Sequence, residues 1–366
     1  MKRHHALVAP VAIAGMLALA ACGGSASDEP VAAAEEESAG AGSSGPATES
    51  AEMVMIGYGG DLAQPYQDFL IDPFVEAHPG VSLEQVPSES GDFVAQIKAA
   101  ANNSPYDAIP LGEARLVTAI NDGWIAEVPE EDATVLEEIQ PIFADACRGY
   151  GVPATYSLIG IAYNPDLVPA PTSWEDMWNA EYEGQVGIVS SSSNLGFAFF
   201  VQAAKLAGGD EGDLEPAFAK IAELGSPTVA ANPTALAQLF ERGEIAIAPL
   251  WNNDAAVLKN SGLTVEFVRP SEGAIADVTC MTMAAETANP ELTLELLNMV
   301  GGTEFQEQAA SEPWYFGPTN ENAEVEESEF LVTDPTEFED LVRIDWDTAA
   351  PERDAITERF NQEFGS

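Results

Sequence analysis

Short apolar segments of strand character alternate with segments of helical spacing along this chain, and that alternation restricts it to an α/β architecture. Met53-Val54-Met55-Ile56-Gly57-Tyr58 reads as a buried strand broken by Gly59-Gly60, and residues 67–77 carry apolar positions at helical spacing. Val81-Ser82-Leu83-Glu84-Gln85-Val86 alternates as a second strand. A helix is expected over 92–101, a short strand over 107–110 and a further helix up to Ile120. The second half continues with strands at 159–164, 187–189 and 245–251, and with helices at 195–207, 293–300 and 304–310. Strands separated by helices at this spacing imply right-handed βαβ units and mostly parallel sheets. No internal repeat is visible, and Val168-Pro169-Ala170-Pro171-Thr172 reads as a loop.

The residues ahead of this region have another character. Lys2 and Arg3, followed by an apolar run from Ala6 to Ala21, form the pattern of a secretory signal, and the run is short for a membrane-spanning helix. Leu19-Ala20-Ala21-Cys22 has the bacterial lipoprotein-box pattern. The mature chain is therefore expected to start at Cys22, lipidated and held at the outer face of a cell membrane, periplasmic or extracellular. Residues 22–52 are rich in Gly, Ser, Ala and Glu, which bury too little apolar surface to offset ordering, so a flexible tether is expected there. The folded body is expected to begin near Met53.

Sixty-one acidic residues against 13 basic ones leave a formal net charge of -48, which argues against nucleic acid or an anionic membrane as the main partner. Membrane contact should be through the lipid alone. The acidic residues are spread along the whole length, as on a solvated surface adapted to salt. Beyond Cys22 the cysteines are Cys147 and Cys280. Outside the membrane they have the chance to pair, and the sequence leaves a disulfide and two buried thiols equally open.

Catalytic patterns are missing. His4 and His5 fall in the signal, and His78, in a His-Pro-Gly turn, reads as a surface residue. With no second histidine and no cysteine cluster, zinc-type sites lack their usual ligands, and no metal or other cofactor is expected. No Gly-x-Ser-x-Gly elbow, dinucleotide fingerprint or phosphate loop is present. Paired carboxylates are expected by chance in so acidic a chain, so they do not by themselves indicate a glycosidase.

What remains are polar and aromatic residues at strand ends, where open α/β sheets place ligands. Tyr58 and Asp61 flank the first turn, Glu113 follows Leu111-Gly112, and Trp251-Asn252-Asn253-Asp254 ends a strand before a helix. An aromatic face beside carboxylates suits an organic cation. Singly, Asp254 also reads as a helix cap and Trp251 as packing. Ser190-Ser191-Ser192-Ser193-Asn194 differs: hydroxyls and backbone amides ahead of a helix suit a carboxylate or phosphonate, or merely cap that helix. Ser191, Ser192 and Asn194 are the donors in the first case. A zwitterion satisfies both ends.

Pro171-Thr172-Ser173-Trp174-Glu175-Asp176-Met177-Trp178, continuing to Glu181-Tyr182-Glu183-Gly184-Gln185-Val186, resembles the spermidine/putrescine-type substrate-binding proteins of ABC importers. Asp72-Pro73-Phe74-Val75-Glu76, Tyr106-Asp107-Ala108, Gly151-Val152-Pro153, Ile161-Ala162-Tyr163-Asn164-Pro165 and Gly317-Pro318-Thr319-Asn320 stand around it in the order of that family. The resemblance covers roughly 53–323. It implies a two-lobed, type II periplasmic-binding-protein-like fold, with lobe 1 from 53–154 plus 278–320 and lobe 2 from 155–277 plus 321–366. A solute held in the cleft would close the lobes and be handed to a membrane permease by a monomeric, non-enzymatic protein.

The implied solute is small and cationic or zwitterionic, polyamine-like in the first place. The alternatives are an aminophosphonate, opine or amino-acid-like solute, and outside that class a secreted enzyme or a surface adhesin. The resemblance puts Trp251 against the alkyl-amine chain and Asp277 close to a site carboxylate. It departs where Ser190 to Asn194 replace carboxylates, and where Gly112 and Ala114 replace polar and aromatic residues. The adjacent tyrosine pair of iron binders is absent; Trp314-Tyr315-Phe316 is not one.

Overall fold

A long strand, β4 (Gly151–Tyr163), buried at every position, runs through the middle of the molecule and organises its sheet. The structure is a computed structural model, and it describes residues 50–87, 96–97 and 104–365. The signal, Cys22, nearly all of the tether and most of the helix expected over 92–101 lie outside the described residues. Around β4 stand β1 (Ala51–Gly57), β2 (Val81–Pro87), β3 (Ala108–Gly112), β7 (Ile247–Trp251), β8 (Glu266–Val268) and β9 (Ile275–Met283). The order is β2-β1-β3-β9-β4-β7, with β8 also on β4. A separate pair, β5 (Gly187–Val189) and β6 (Thr228–Ala230), is parallel.

The expected α/β class holds, and the pairings correct one part of the expectation. β1 lies parallel to β2 and β3, but β9 is antiparallel to β3 and β4, and β7 and β8 are antiparallel to β4. The sheet is therefore mixed. The cause is the pair of long strands β4 and β9, which pair antiparallel from Gly151↔Thr282 to Ile159↔Ile275 with an irregularity between Pro153 and Thr155. Pro153 has no N–H to donate to a regular ladder, which suits a bulge at that point.

The first half of β4 carried no strand signal because alternation is absent from a strand buried on both faces. Its glycines are placed by crowding: a Cβ at Gly160 would lie 2.5 Å from the Val268 carbonyl oxygen, and one at Gly151 would lie 2.3 Å from that of Met281. β1 starts at Ala51, two residues before the expected onset.

Helices cover both faces of the sheet. Asp72–Ala77, Pro290–Gly301 and Thr303–Ala309 enclose a core built on Met53, Met55, Leu70, Phe74, Leu296 and Phe305. Asn194–Leu206 is buried along nearly its whole length in a second, larger core with Trp174, Phe199, Ile247 and Leu250. The C-terminal helix Arg353–Glu363 lies against it through Phe360 and Phe200. A disulfide joins Cys147 to Cys280 in the middle of β9, with Cα atoms 5.6 Å apart.

The stretch around Trp174 owes its pattern to packing. Ser173 and Asp176 form a capping box, the Trp174 indole donates to the Gly273 carbonyl at 3.0 Å, and that of Trp178 donates to the Lys220 carbonyl at 2.6 Å. Among the described residues no helix is long and apolar enough to cross a membrane.

Candidate functional site

Four chain segments end at one place. The C-terminal ends of β1, β3 and β7 and the N-terminus of Asn194–Leu206 surround a patch of sheet where β9 runs between β3 and β4. On β9, Asp277 and Thr279 are two residues apart and so share a face. Ser157 of β4 is opposite Asp277, and Gly112 of β3 is opposite Thr279. Above them is a cavity of about 170 Å³, lined by Tyr58, Gly112, Arg115, Ser157, Asn194, Trp251, Asn253, Asp254, Asp277 and Thr279 among others.

Gly112 leaves room for the site. A Cβ there would lie 2.5 Å from both the Asn194 Nδ2 and the Asp277 Oδ2, so any side chain would fill the point where these two polar groups approach. Gly196 acts similarly one turn into its helix, where a Cβ would meet the Ser190 carbonyl oxygen at 2.1 Å. The helix can thus start directly against the end of β5, with the Ser193 hydroxyl accepting from the Gly196 amide at 3.0 Å.

One side of the cavity is aromatic and acidic. Tyr58 is fixed by the Thr279 hydroxyl at 3.1 Å and by the rings of Tyr66 and Phe316, each 5.5 Å away. Burial pushes its phenol up to about 12, and the carboxylates of Asp277 and Asp254 add to the effect. Trp251 precedes the helix Asn252–Asn260. Asn252 anchors this turn: its Oδ1 accepts from the Leu158 amide at 2.8 Å, and its Nδ2 donates to the backbone carbonyls of Tyr315 and Phe330. Asp254, in the first helical turn, lines the cavity.

Asp277 is 6% exposed and accepts from the Glu113 amide at 3.2 Å. Burial, with the Glu113 carboxylate beside it, pushes Asp277 from 3.8 up to about 7 against the pull of Arg343 and Arg353. Burial raises Glu113 as well, opposed by Arg343, which donates to it at 2.7 Å, and by the Val278 amide.

Of the residues singled out in the sequence, Tyr58, Asn194, Trp251, Asp254 and Asp277 line the cavity. Asp61, Glu113, Ser191 and Ser192 do not. Asp61 is exposed and offers its carbonyl to the Trp314 indole at 3.0 Å. Glu113 turns its carboxylate to the Val278 amide and Arg343. Ser191 is fully buried with its hydroxyl on Thr357, and Ser192 contributes its carbonyl to two arginines. Sequence reasoning missed Arg115, Ser157 and Thr279, and named Asn253 only within the run that ends in Asp254. Arg115, three residues beyond Gly112 in a helix with a clear polar face, had no local signature to separate it from a solvated residue. Among the described residues no cluster of His, Cys, Asp or Glu could hold a metal ion.

A family model described as bacterial extracellular solute-binding protein matches residues 70–339. The chain belongs to that family. It is therefore an extracellular solute-binding protein by family. It is 24% identical over 253 residues to spermidine/putrescine-binding periplasmic protein 1 of Haemophilus influenzae, covering 66% of this chain and 69% of the relative. Solved structures share the fold. An ABC transporter protein from Clostridium perfringens superposes with a TM-score of 0.69 at 22% identity, over 85% of this chain and 99% of that one. The binding protein MotA of A. tumefaciens B6, in complex with glucopine, reaches a TM-score of 0.73 at 16% identity over 85% and 99% of the two chains.

Proposed function

We propose that this solute-binding protein captures a small amine-bearing solute in the cavity between β1, β3, β7 and the Asn194 helix and delivers it to a membrane permease. The observation that carries the reading is the convergence of the Trp251 and Tyr58 side chains with the carboxylates of Asp254 and Asp277 on one side of a cavity of about 170 Å³. An ammonium there gains cation–π attraction and charge pairing. The name of the Haemophilus relative supports a polyamine as one such solute. The A. tumefaciens protein of the same fold is in complex with glucopine, which supports a solute class wider than polyamines.

The chain acts without catalysis, as a monomer held outside the membrane by a lipid on Cys22. Its lobes are 53–154 with 278–320 and 155–277 with 321–366. β4 and β9 both cross that boundary, which supports a hinge there, and the core built on Met53 and Phe305 falls wholly within lobe 1. Solute favours the closed form because only that form makes the contacts of both lobes, a population shift driven by differential affinity.

Isothermal titration calorimetry of the protein against putrescine, spermidine, butylamine and amino acids tests the reading. Saturable heat with an amine, at an affinity that falls in Trp251→Ala, is the expected result. Turnover of any solute, seen by mass spectrometry, would instead establish an enzyme.

A further inference from the structure

The wall of the cavity at the Asn194 helix carries the opposite charge. Arg115 lines the cavity and is 8% exposed. Its Nη2 donates to the Ser192 carbonyl at 3.0 Å, while its buried Nε has no hydrogen-bond partner among the described residues. Arg353, 2% exposed, donates to the same carbonyl at 2.8 Å and to the Asn194 Oδ1 at 2.9 Å, and its Nε is likewise without a partner among the described residues. Two buried guanidinium groups therefore share one neutral carbonyl.

A buried cation is costly unless a counter-ion meets it. The carboxylate that acts on Arg115 is that of Asp354, an exposed residue. Arg353 fixes the Asn194 carbonyl oxygen, which leaves Asn194 Nδ2 pointing at the gap over Gly112. Asn194 also opens a thirteen-residue helix, whose first-turn amides supply a partial positive charge at the same wall. The Asp277 carboxylate borders the same gap over Gly112 and acts on Arg353, so the acidic side of the cavity meets this wall there, while the carboxylate acting on Arg115 is only that of exposed Asp354.

We propose that Arg115, Asn194 and the N-terminus of the Asn194–Leu206 helix form a subsite for an oxyanion, so that the solute is a compact zwitterion whose acidic group sits at Arg115 and whose amine sits at Trp251, Asp254 and Asp277. The assignment rests on the amine reading above and narrows it. Arg353 is a positioning residue: it orients Asn194 and the Ser192 carbonyl from behind. Carboxylate and phosphonate share this chemistry.

The test is calorimetry on the full-length protein in detergent with probes matched in length: butylamine, putrescine, butyrate, 4-aminobutyrate and 3-aminopropylphosphonate. The expected result is that 4-aminobutyrate or the phosphonate binds at least about tenfold more tightly than butylamine, the size of one charge-assisted hydrogen bond, and that putrescine has no such advantage. Whichever acid binds more tightly identifies the oxyanion. Arg115→Gln should erase the advantage of the zwitterion over butylamine, and the wild-type ranking stands as a test even if that variant fails to fold. Putrescine binding as well as 4-aminobutyrate, or an advantage that survives Arg115→Gln, would overturn the oxyanion subsite and leave the amine reading intact. Butyrate binding as tightly as 4-aminobutyrate while neither amine binds would refute the amine reading and, with it, the zwitterion. Silence with every probe would overturn both.

Discussion

Asp277→Asn should change how the stability of the unliganded protein depends on pH. Asp277 is buried beside Glu113, and its affinity for a proton rises from 3.8 to about 7 on folding. Between those values the native protein holds a proton that the unfolded chain has released. Stability from this group is fully present below about pH 4 and is lost as pH rises through about 7. At 1.36 kcal/mol per pH unit the span amounts to about 4 kcal/mol at most. Asparagine keeps the acceptor for the Glu113 amide and does not titrate. The assay is urea unfolding of wild type and variant at a series of pH values. The wild-type minus variant difference removes the common slope from the carboxylates other than Glu113. That difference should fall by up to about 4 kcal/mol from about pH 4 to about pH 7 and then level off. Parallel curves over the whole range would refute the argument that burial and Glu113 hold a proton on Asp277.

Three further expectations can be checked directly. Trp251→Ala should weaken binding of an amine-bearing solute by about 1 kcal/mol or more without unfolding the protein; unchanged affinity by calorimetry would remove Trp251 from the site. Gly112→Ala should weaken binding by about tenfold or more, because its Cβ displaces Asn194 Nδ2 and Asp277 Oδ2, while an unchanged thermal midpoint should show that these flexible side-chain ends yield without harm to the fold. Replacing Cys147 and Cys280 by serine opens a loop between positions 133 residues apart and should cost about 2–5 kcal/mol in denaturant unfolding; a loss near zero would mean the unfolded chain is not constrained by that bridge.

Much of the fold was legible because its signals are local. The apolar run ending in Tyr58, the alternation from Val81 and the helix at Asn194 each follow from spacing along the chain, and each forms as expected. Tyr58, Trp251 and Asp254 were found because strand ends before turns are visible in sequence and ligand sites lie at such ends. Local pattern could not separate Asp61 and Glu113 from Asp254, since all three stand in the first turn after a strand end, and Asp277, inside β9, carried no local signal beyond the resemblance. Side-chain direction separated them: Glu113 turns to Arg343 and the Val278 amide, while Asp277 shares the cavity face of β9 with Thr279.

By itself, then, the sequence determined the α/β class, the acidic character, the family motifs and the strand ends where a solute can sit. These depend on periodicity and composition within a few residues. Tertiary structure decided the mixed sheet, because β4 and β9 pair across more than a hundred residues of chain, and it decided the charge of each cavity wall. Arg115 and Arg353 look like two of thirteen ordinary basic residues in the chain. Only folding buries both beside the Ser192 carbonyl, and burial is what makes their charge matter, because a cation withdrawn from water must find its counter-ion within the protein or in what the protein binds.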